Sequence, residues 1–465
     1  MSTHIDTIAA VSTPPGKGGV AIIRISGIDA LTVAEKVFKT ASGKRITDYQ
    51  KRTQIYGYIT DGDFTVDDGM LTHFPAPNSY TGETVVEISC HGGILVTRRV
   101  LECVLASGAR YADAGEFTRR AFINGKLTLT EAEAIGTLLE AKSEEQIKLS
   151  ATASRERLTE RIDGIRERLT GLLSSMYARI DYPEEDLGDF TDKELEDSLE
   201  EISKDTEQLL STYKTGRAIN EGITAVICGK PNVGKSTLYN MLVGDDAAIV
   251  TDIAGTTRDI IERTVPLGRV ILRLLDTAGI RDTASDAVER IGIARTREAI
   301  RSAGLIIAVF DLSRRADEED EALIEEIKKT NAAKIAIYNK NDLEICHLFD
   351  KTLTKGIFDR EITASAIKDC AETHSELAKA VDTLFTDERL VTGNDAIVAT
   401  ARQHAALKRA LEGIKLAKEG IRQGIAQDAV STDAELALGA ISEVDGKAVT
   451  DAVVSDIFKK FCVGK

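Results

Sequence analysis

Residues 229–236 read Gly229-Lys230-Pro231-Asn232-Val233-Gly234-Lys235-Ser236, the spacing G-x-x-x-x-G-K-[ST]. Glycines there let backbone N–H groups close around phosphate oxygens, Lys235 reaches the terminal phosphates, and Ser236 can ligate Mg²⁺. The motif carries meaning only between a strand and a helix. Both are present as patterns: Ile223 to Cys228 is an apolar run, and the TLYNMLV stretch from Thr237 is helix-forming. The helix N-terminus then adds its positive dipole end to the phosphate site.

Three further segments follow in the order a nucleotide hydrolase needs. Asp276-Thr277-Ala278-Gly279 ends the strand pattern VILRLL, which puts a carboxylate near the metal and a glycine near the γ-phosphate. Between these motifs, Thr251-Asp252-Ile253-Ala254-Gly255-Thr256-Thr257 is rich in hydroxyls and carbonyls. Asn339-Lys340-Asn341-Asp342 ends the strand pattern KIAIY and decides the base. An ionised Asp342 only accepts hydrogen bonds, and guanine offers N1–H and N2–H₂ as a matched donor pair that adenine lacks. GTP is therefore favoured over ATP. Ser365-Ala366, after a short strand pattern around Glu361 to Thr363, fits the last guanine-contacting loop.

The residue after DTAG is Ile280, which can neither donate nor accept, so another group must orient the attacking water. Asp282, Asp286 and Glu289 are the acidic candidates, and chemistry alone leaves the choice open. Charge developing on the transferring phosphoryl group also needs a cation. Arg258 or Arg281 could supply it, or Asn232 and the oxygens of residues 249–259 could hold a monovalent ion, since hard cations take oxygen ligands.

The elements that position these groups fall into three regions. Residues 1–125 carry short strand patterns such as Val20 to Ile25 and Thr84 to Ile88, broken by turn-formers, and predict a small α+β domain. From about Leu127 the pattern becomes helical, with Pro183 closing one long run. βα alternation occupies 223–385. Helical periodicity returns in ARQHAALKRALEGIKLAKEGI and again from Asp433 to Phe461. Neither helical half looks self-sufficient, so 126–222 and 386–465 are read as one discontinuous helical domain with the α/β domain inserted.

Composition sets outer bounds. The formal charge of −16 excludes a nonspecific polyanion binder, so any RNA partner needs a local basic patch. Arg98, Arg99, Arg110, Arg119 and Arg120 form one such region, diluted by Glu102, Asp113 and Glu116. The six cysteines lack C-x-x-C or zinc spacing and read as reduced cytosolic thiols. No apolar stretch reaches membrane-spanning length. Cys90-His91 lacks an orienting third group and is not read as a nucleophile, and the PPGKGG segment reads as a turn.

Beyond these motifs, DTIAAVSTPPGKGGVAIIRISG, PNSYTGETVVEISCHGG, AGEFTRRAFINGKLTLTEAEAI, VTDIAGTTRD, DTAGIRDTASDAVERIGI and the terminal FCVGK give the chain an end-to-end resemblance. It resembles the MnmE (TrmE) family of tRNA-modification GTPases. The resemblance implies an N-terminal tetrahydrofolate-binding-like and dimerisation domain, and a Ras-like P-loop domain inserted in the helical one. It also implies a bacterial cytoplasmic homodimer that works with the flavoprotein MnmG. That complex adds an aminomethyl-type group to C5 of the wobble uridine of tRNA, using a 5,10-methylene- or 5-formyl-tetrahydrofolate-type folate, GTP, Mg²⁺ and K⁺.

The family pattern puts K⁺ ligands on Asn232, Thr251, Ile253 and Thr256, Mg²⁺ ligands on Ser236 and Thr257, and the water-orienting glutamate on Glu289. Folate contacts fall on Arg24, Glu87, Lys126 and Lys465, and Cys462 is a weaker candidate beside them. Singly, Arg24 and Glu87 read as charges on the solvent face of a strand, and Lys126 and Lys465 as surface lysines. Two rival readings are a ribosome-assembly or signalling GTPase, which should carry an RNA-binding module such as a KH domain, and a membrane-remodelling stalk. No G-x-x-G loop in helix-turn context follows Phe385, and no basic amphipathic segment is evident.

Overall fold

The computed structural model describes residues 6–153, 157–181, 191–244, 262–275, 297–343, 348–459 and 461–464. The chain groups into two compact units, residues 1–139 with 438–465, and residues 140–437.

The first unit is built on a seven-stranded sheet: β1 (Ile8–Val11), β2 (Val20–Ser26), β3 (Phe38–Thr40), β4 (Gln54–Asp61), β5 (Phe64–Phe74), β6 (Val85–His91) and β7 (Arg110–Tyr111). Their order is β3-β4-β5-β6-β2-β1-β7, antiparallel except for the β1–β7 pair. Alternation along β2 and β6 decides the faces. Ile23, Ile25, Val86 and Ile88 turn into a core with Val33 and Val100 of helices Ala30–Val37 and Ile94–Ala106. Arg24 and Glu87, out of phase with those residues, are left on the opposite face. A second cluster joins Leu129 and Ala132 to Val454 and Phe458.

Arg120 is fully buried in this unit and donates to Asp6, Glu83 and Glu116. Burial alone would raise the carboxyl pKa values of Asp6 and Glu116, but Arg110 and Arg120 together outweigh it and hold both below the usual range.

In the second unit, helices Glu144–Ala153, Arg157–Asp181, Asp192–Ser211, Tyr213–Asn220 and Ala401–Arg422 accompany a six-stranded sheet. Its strands are β8 (Ile223–Cys228), β9 (Glu262–Leu267), β10 (Val270–Leu275), β11 (Leu305–Asp311), β12 (Ala333–Asn339) and β13 (Arg360–Thr363). The order is β13-β12-β11-β8-β10-β9, parallel except for β9. Every residue of β11 is buried, as a strand covered on both faces requires. β8 is flanked by β10 on one side and β11 on the other, so the chain order reverses at its C-terminal end. That is where ligands bind in such sheets.

Two helical runs predicted as continuous are interrupted. The first helix stops at Leu139, and the next starts where Ser143 Oγ accepts the Gln146 N–H at 3.2 Å, a capping bond that restarts the helix. The second is broken between Val444 and Asp451, where Gly446 takes a positive φ of 94°.

Because Glu116 is almost fully buried against Arg120, replacing Arg120 with Met should destabilise this unit by about 3–5 kcal/mol. Groups with lowered pKa values stabilise the fold above their unfolded pKa and lose that contribution as pH falls through the lowered value. Urea denaturation against pH checks both points. The wild-type chain should lose stability through the acid range more steeply than Arg120→Met, and parallel profiles would contradict the assignment.

Candidate functional site

The phosphate loop runs from β8 into helix Lys235–Val243. Gly229 and Gly234 have φ of 147° and 107°, and Asn232 has 63°. A Cβ on Gly229 would lie 2.4 Å from the Val309 carbonyl oxygen, and one on Gly234 would lie 2.1 Å from Asn339 Nδ2. Neither position tolerates a side chain. Lys235 Nζ donates to the Lys230 carbonyl at 2.6 Å, and burial pushes its ammonium pKa down. Ser236 is exposed and Thr237 half-buried in the first turn of the helix, and Val233 is buried.

Asn339, at the end of β12 and almost wholly buried, ties this loop to the base-reading segments. Its Nδ2 donates to the Val233 carbonyl at 2.8 Å, and its Oδ1 accepts from the Ala366 N–H at 3.0 Å. Lys340 follows with a φ of 66° and pairs with Asp311 Oδ2 at 2.6 Å. Burial alone would raise the Asp311 pKa, but Lys340 and the Ser313 donors outweigh it and keep the group ionised. The Ser365 hydroxyl, with Lys368 adding from 3.6 Å, holds the Asp342 carboxyl below its usual range. Asp342 is thus kept as the pure acceptor that guanine's donor edge requires.

The structure therefore brings Asn232, Val233, Gly234, Lys235, Ser236 and Thr237 into one loop and helix start. Asn339, Lys340, Asp342, Ser365 and Ala366 stand at the neighbouring strand ends. Thr251, Asp252, Ile253, Ala254, Gly255, Thr256, Thr257, Asp276, Thr277, Ala278, Gly279, Glu289 and Lys465 lie outside the described residues. Sequence reasoning missed Asp311, the ionic partner of Lys340. It also missed Asp317 and Glu319, which pair with Lys230. A carboxylate closing the fully apolar run LIIAVF was the available signal for Asp311.

In the first unit, Arg24 and Glu87 stand opposite each other on β2 and β6, and Arg24 Nε donates to Glu87 Oε1 at 2.9 Å. The pair is largely covered rather than solvent-facing, with side-chain exposures of 17% and 24%. The Arg24 guanidinium sits 5.2 Å from the Tyr80 ring centroid and 5.7 Å from that of Phe117. The C-terminal residues join them: Gly464 carbonyl oxygen lies 3.5 Å from Arg24 Nη1 and accepts from Ser12 Oγ at 3.2 Å. Cys462 is exposed, and its carbonyl accepts from Gly115 N–H at 3.3 Å. Lys126 is exposed and packs its stem near Gly82. The Cys90 thiol is buried, and burial with Asp67 nearby pushes its pKa up to about 11. His91 pairs with Asp67 at 2.8 Å instead, so no activated Cys-His couple exists there.

A Gly-rich loop at the reversal point of a parallel sheet, with an Asn-Lys-x-Asp segment at the adjoining strand end, defines the second unit's sheet domain as a guanine-nucleotide-binding P-loop domain. The family model described as "GTP-binding protein TrmE N-terminus" matches residues 7–126, and that described as "MnmE helical domain" matches residues 129–462. The chain is 40% identical over 460 residues to the tRNA modification GTPase MnmE of Clostridioides difficile strain 630, covering 99% of each protein. It is also 40% identical over 464 residues to that of Bacillus licheniformis, covering 99% of this chain and 100% of the relative. The Moorella thermoacetica protein of the same name is 40% identical over 468 residues, with 99% of each covered. This chain belongs to the MnmE (TrmE) family of tRNA modification GTPases. Its reaction is GTP hydrolysis, with GTP and Mg²⁺ as the implied ligands. No helix among the described residues is long and apolar enough to cross a membrane.

Replacing Asp342 with Asn exchanges an acceptor for a group that also donates. GTP affinity should fall on the order of 100-fold, while xanthosine triphosphate, whose C2 carbonyl replaces the amine, should gain. Competition binding against a fluorescent GTP analogue measures both, and unchanged GTP affinity would contradict the base-reading role.

Proposed function

We propose that this chain couples GTP hydrolysis to the addition of an aminomethyl-type group at C5 of the wobble uridine of tRNA. In this reading it acts as a cytoplasmic homodimer with the flavoprotein MnmG. The observation that carries the reading is the covered Arg24–Glu87 pair beside Tyr80, Phe117 and the C-terminal Gly464. A carboxylate, a guanidinium and aromatic rings converging on one face suit a flat, hydrogen-bonding heterocycle carrying acidic groups. Arg24, Glu87, Lys126 and Lys465 would hold a tetrahydrofolate, which supplies the one-carbon unit when bound. Cys462, exposed at the same end, is a secondary candidate.

On the nucleotide side, the phosphate-loop N–H groups and Lys235 bind and orient the phosphates, and charge stabilisation by such fixed donors is the main catalytic term in phosphoryl transfer. Ser236 and Thr257 are the proposed Mg²⁺ ligands, and Asp276 the carboxylate near them. Asn232 is exposed and takes a positive φ in the loop. That suits it to ligate K⁺ together with Thr251, Ile253 and Thr256, in a site completed when two GTPase domains meet. Glu289 is proposed to orient the attacking water.

Hydrolysis in matched K⁺ and Na⁺ buffers tests the cation: K⁺ should accelerate turnover, Asn232→Ala should remove that acceleration, and Glu289→Ala should abolish hydrolysis while GTP still binds. Equal rates in both salts would return the domain to arginine-assisted or partner-activated chemistry. For the first unit, Arg24→Ala should weaken binding of 5-formyl-tetrahydrofolate by at least roughly tenfold, the loss expected for a hydrogen bond to a charged group. Calorimetry showing full affinity would refute the folate assignment.

A further inference from the structure

The family acts on tRNA, yet the chain carries a net charge of −16, so RNA contact must be concentrated on a local surface. Most of the arginines that stand out in the sequence are matched by carboxylates. Arg98 pairs with Glu102, Arg99 with Asp61 and Glu102, Arg110 with Asp6 and Glu116, and Arg120 with Asp6, Glu83 and Glu116. Arg119 is half-buried, with its Nε enclosed. Arg120 is neutralised inside the fold, while the exposed Arg98, Arg99 and Arg110 each carry a carboxylate partner that offsets part of their charge.

A different segment retains its charge. Lys36, Lys39, Lys44, Arg45, Lys51 and Arg52 are all exposed, and Asp48 is the only carboxylate in residues 36–52. None of the six forms an ion pair among the described residues. Asp48 is occupied locally, accepting from the Arg45 backbone N–H at 3.1 Å. Lys39, Lys44 and Arg45 line a concavity of about 390 Å³, in whose wall Glu35 is the one carboxylate. β3 is the edge strand of its sheet, and a lysine there commonly guards against edge-to-edge pairing. That accounts for Lys39 alone, since Lys44, Arg45, Lys51 and Arg52 lie beyond the strand's end at Thr40.

The neighbouring strand adds an aromatic surface. Tyr58 stands directly opposite Lys39 in register, is 44% exposed, and meets Tyr56 edge-on at 5.9 Å. Lys36 donates to the Ser107 carbonyl and Arg52 to the Asn78 carbonyl, and no carboxylate among the described residues neutralises these cations. Cations beside exposed aromatic rings match RNA better than an acidic protein, because RNA offers phosphates and stackable bases together. We propose that residues 36–52, with Tyr58, form a docking surface for tRNA, the cations contacting phosphates and Tyr58 an unstacked base. The inference rests on the family's action on tRNA.

The test is equilibrium binding of an unmodified tRNA transcript to the full chain across a salt series, with poly-glutamate as a second probe. A Lys39→Ala/Lys44→Ala/Arg45→Ala variant should bind tRNA on the order of tenfold more weakly, with a log–log salt slope reduced by about two to three. GTP hydrolysis and thermal unfolding should stay as in the wild type, because all three side chains are exposed. Tyr58→Ala should weaken binding without changing the slope, and the ion-paired Arg98→Ala should change neither. Wild-type binding with an unaltered triple variant overturns the surface alone; no binding by the wild type overturns the surface and the tRNA reading together. Retained tRNA affinity with loss of poly-glutamate binding would assign the face to an acidic protein and also overturn the proposal.

Discussion

The side chain of Asn339 is the constraint on which the nucleotide site depends. Its two polar atoms satisfy a carbonyl from the phosphate loop and an N–H from the loop after β13, so segments far apart in sequence are held in one register. Buried backbone groups left unpaired cost about 1–3 kcal/mol each, which makes alternative placements of these loops expensive. The glycine at 234 is part of the same constraint, since any Cβ there would displace the Asn339 amide.

Around that bond, charge is arranged so that each group is fixed in the state the site needs. Asp311 anchors Lys340, Ser365 keeps Asp342 ionised, and partial burial makes the Lys235 ammonium easier to satisfy with phosphate than with water. The first unit repeats the logic on an antiparallel sheet. Strand register sets Arg24 against Glu87, and the Gly464 carbonyl approaches from the chain's C-terminal end, where its φ of 97° brings the backbone against Val11. Both sites are assembled at places where a glycine lets two backbones come closer than a side chain would permit.

Much of this was legible in the sequence because it is local. The strands β8, β10 and β12 followed from short apolar runs, β13 only from a weak pattern around Glu361 to Thr363, and the phosphate loop from its spacing between a strand and a helix. What was not legible depends on tertiary proximity. Nothing near Asn339 announces that its amide reaches Val233, and nothing near Arg120 announces that Asp6 and Glu83 reach it. Four of the five arginines in the arginine-rich region carry carboxylate partners, whereas the cations of residues 36–52 drew no attention. The helix restart at Glu144 was available locally, as a serine three residues before a glutamine, but the surrounding Leu and Ile spacing masked it.

The most direct test of the account is nucleotide affinity in an Asn339→Ala variant, measured by titration with fluorescent GTP and GDP analogues. Removing the amide unpairs two buried backbone groups, and both nucleotides should bind at least about tenfold more weakly, because the phosphate loop and the base loop lose their common register. Wild-type affinity for both nucleotides would contradict the claim that this single side chain organises the site.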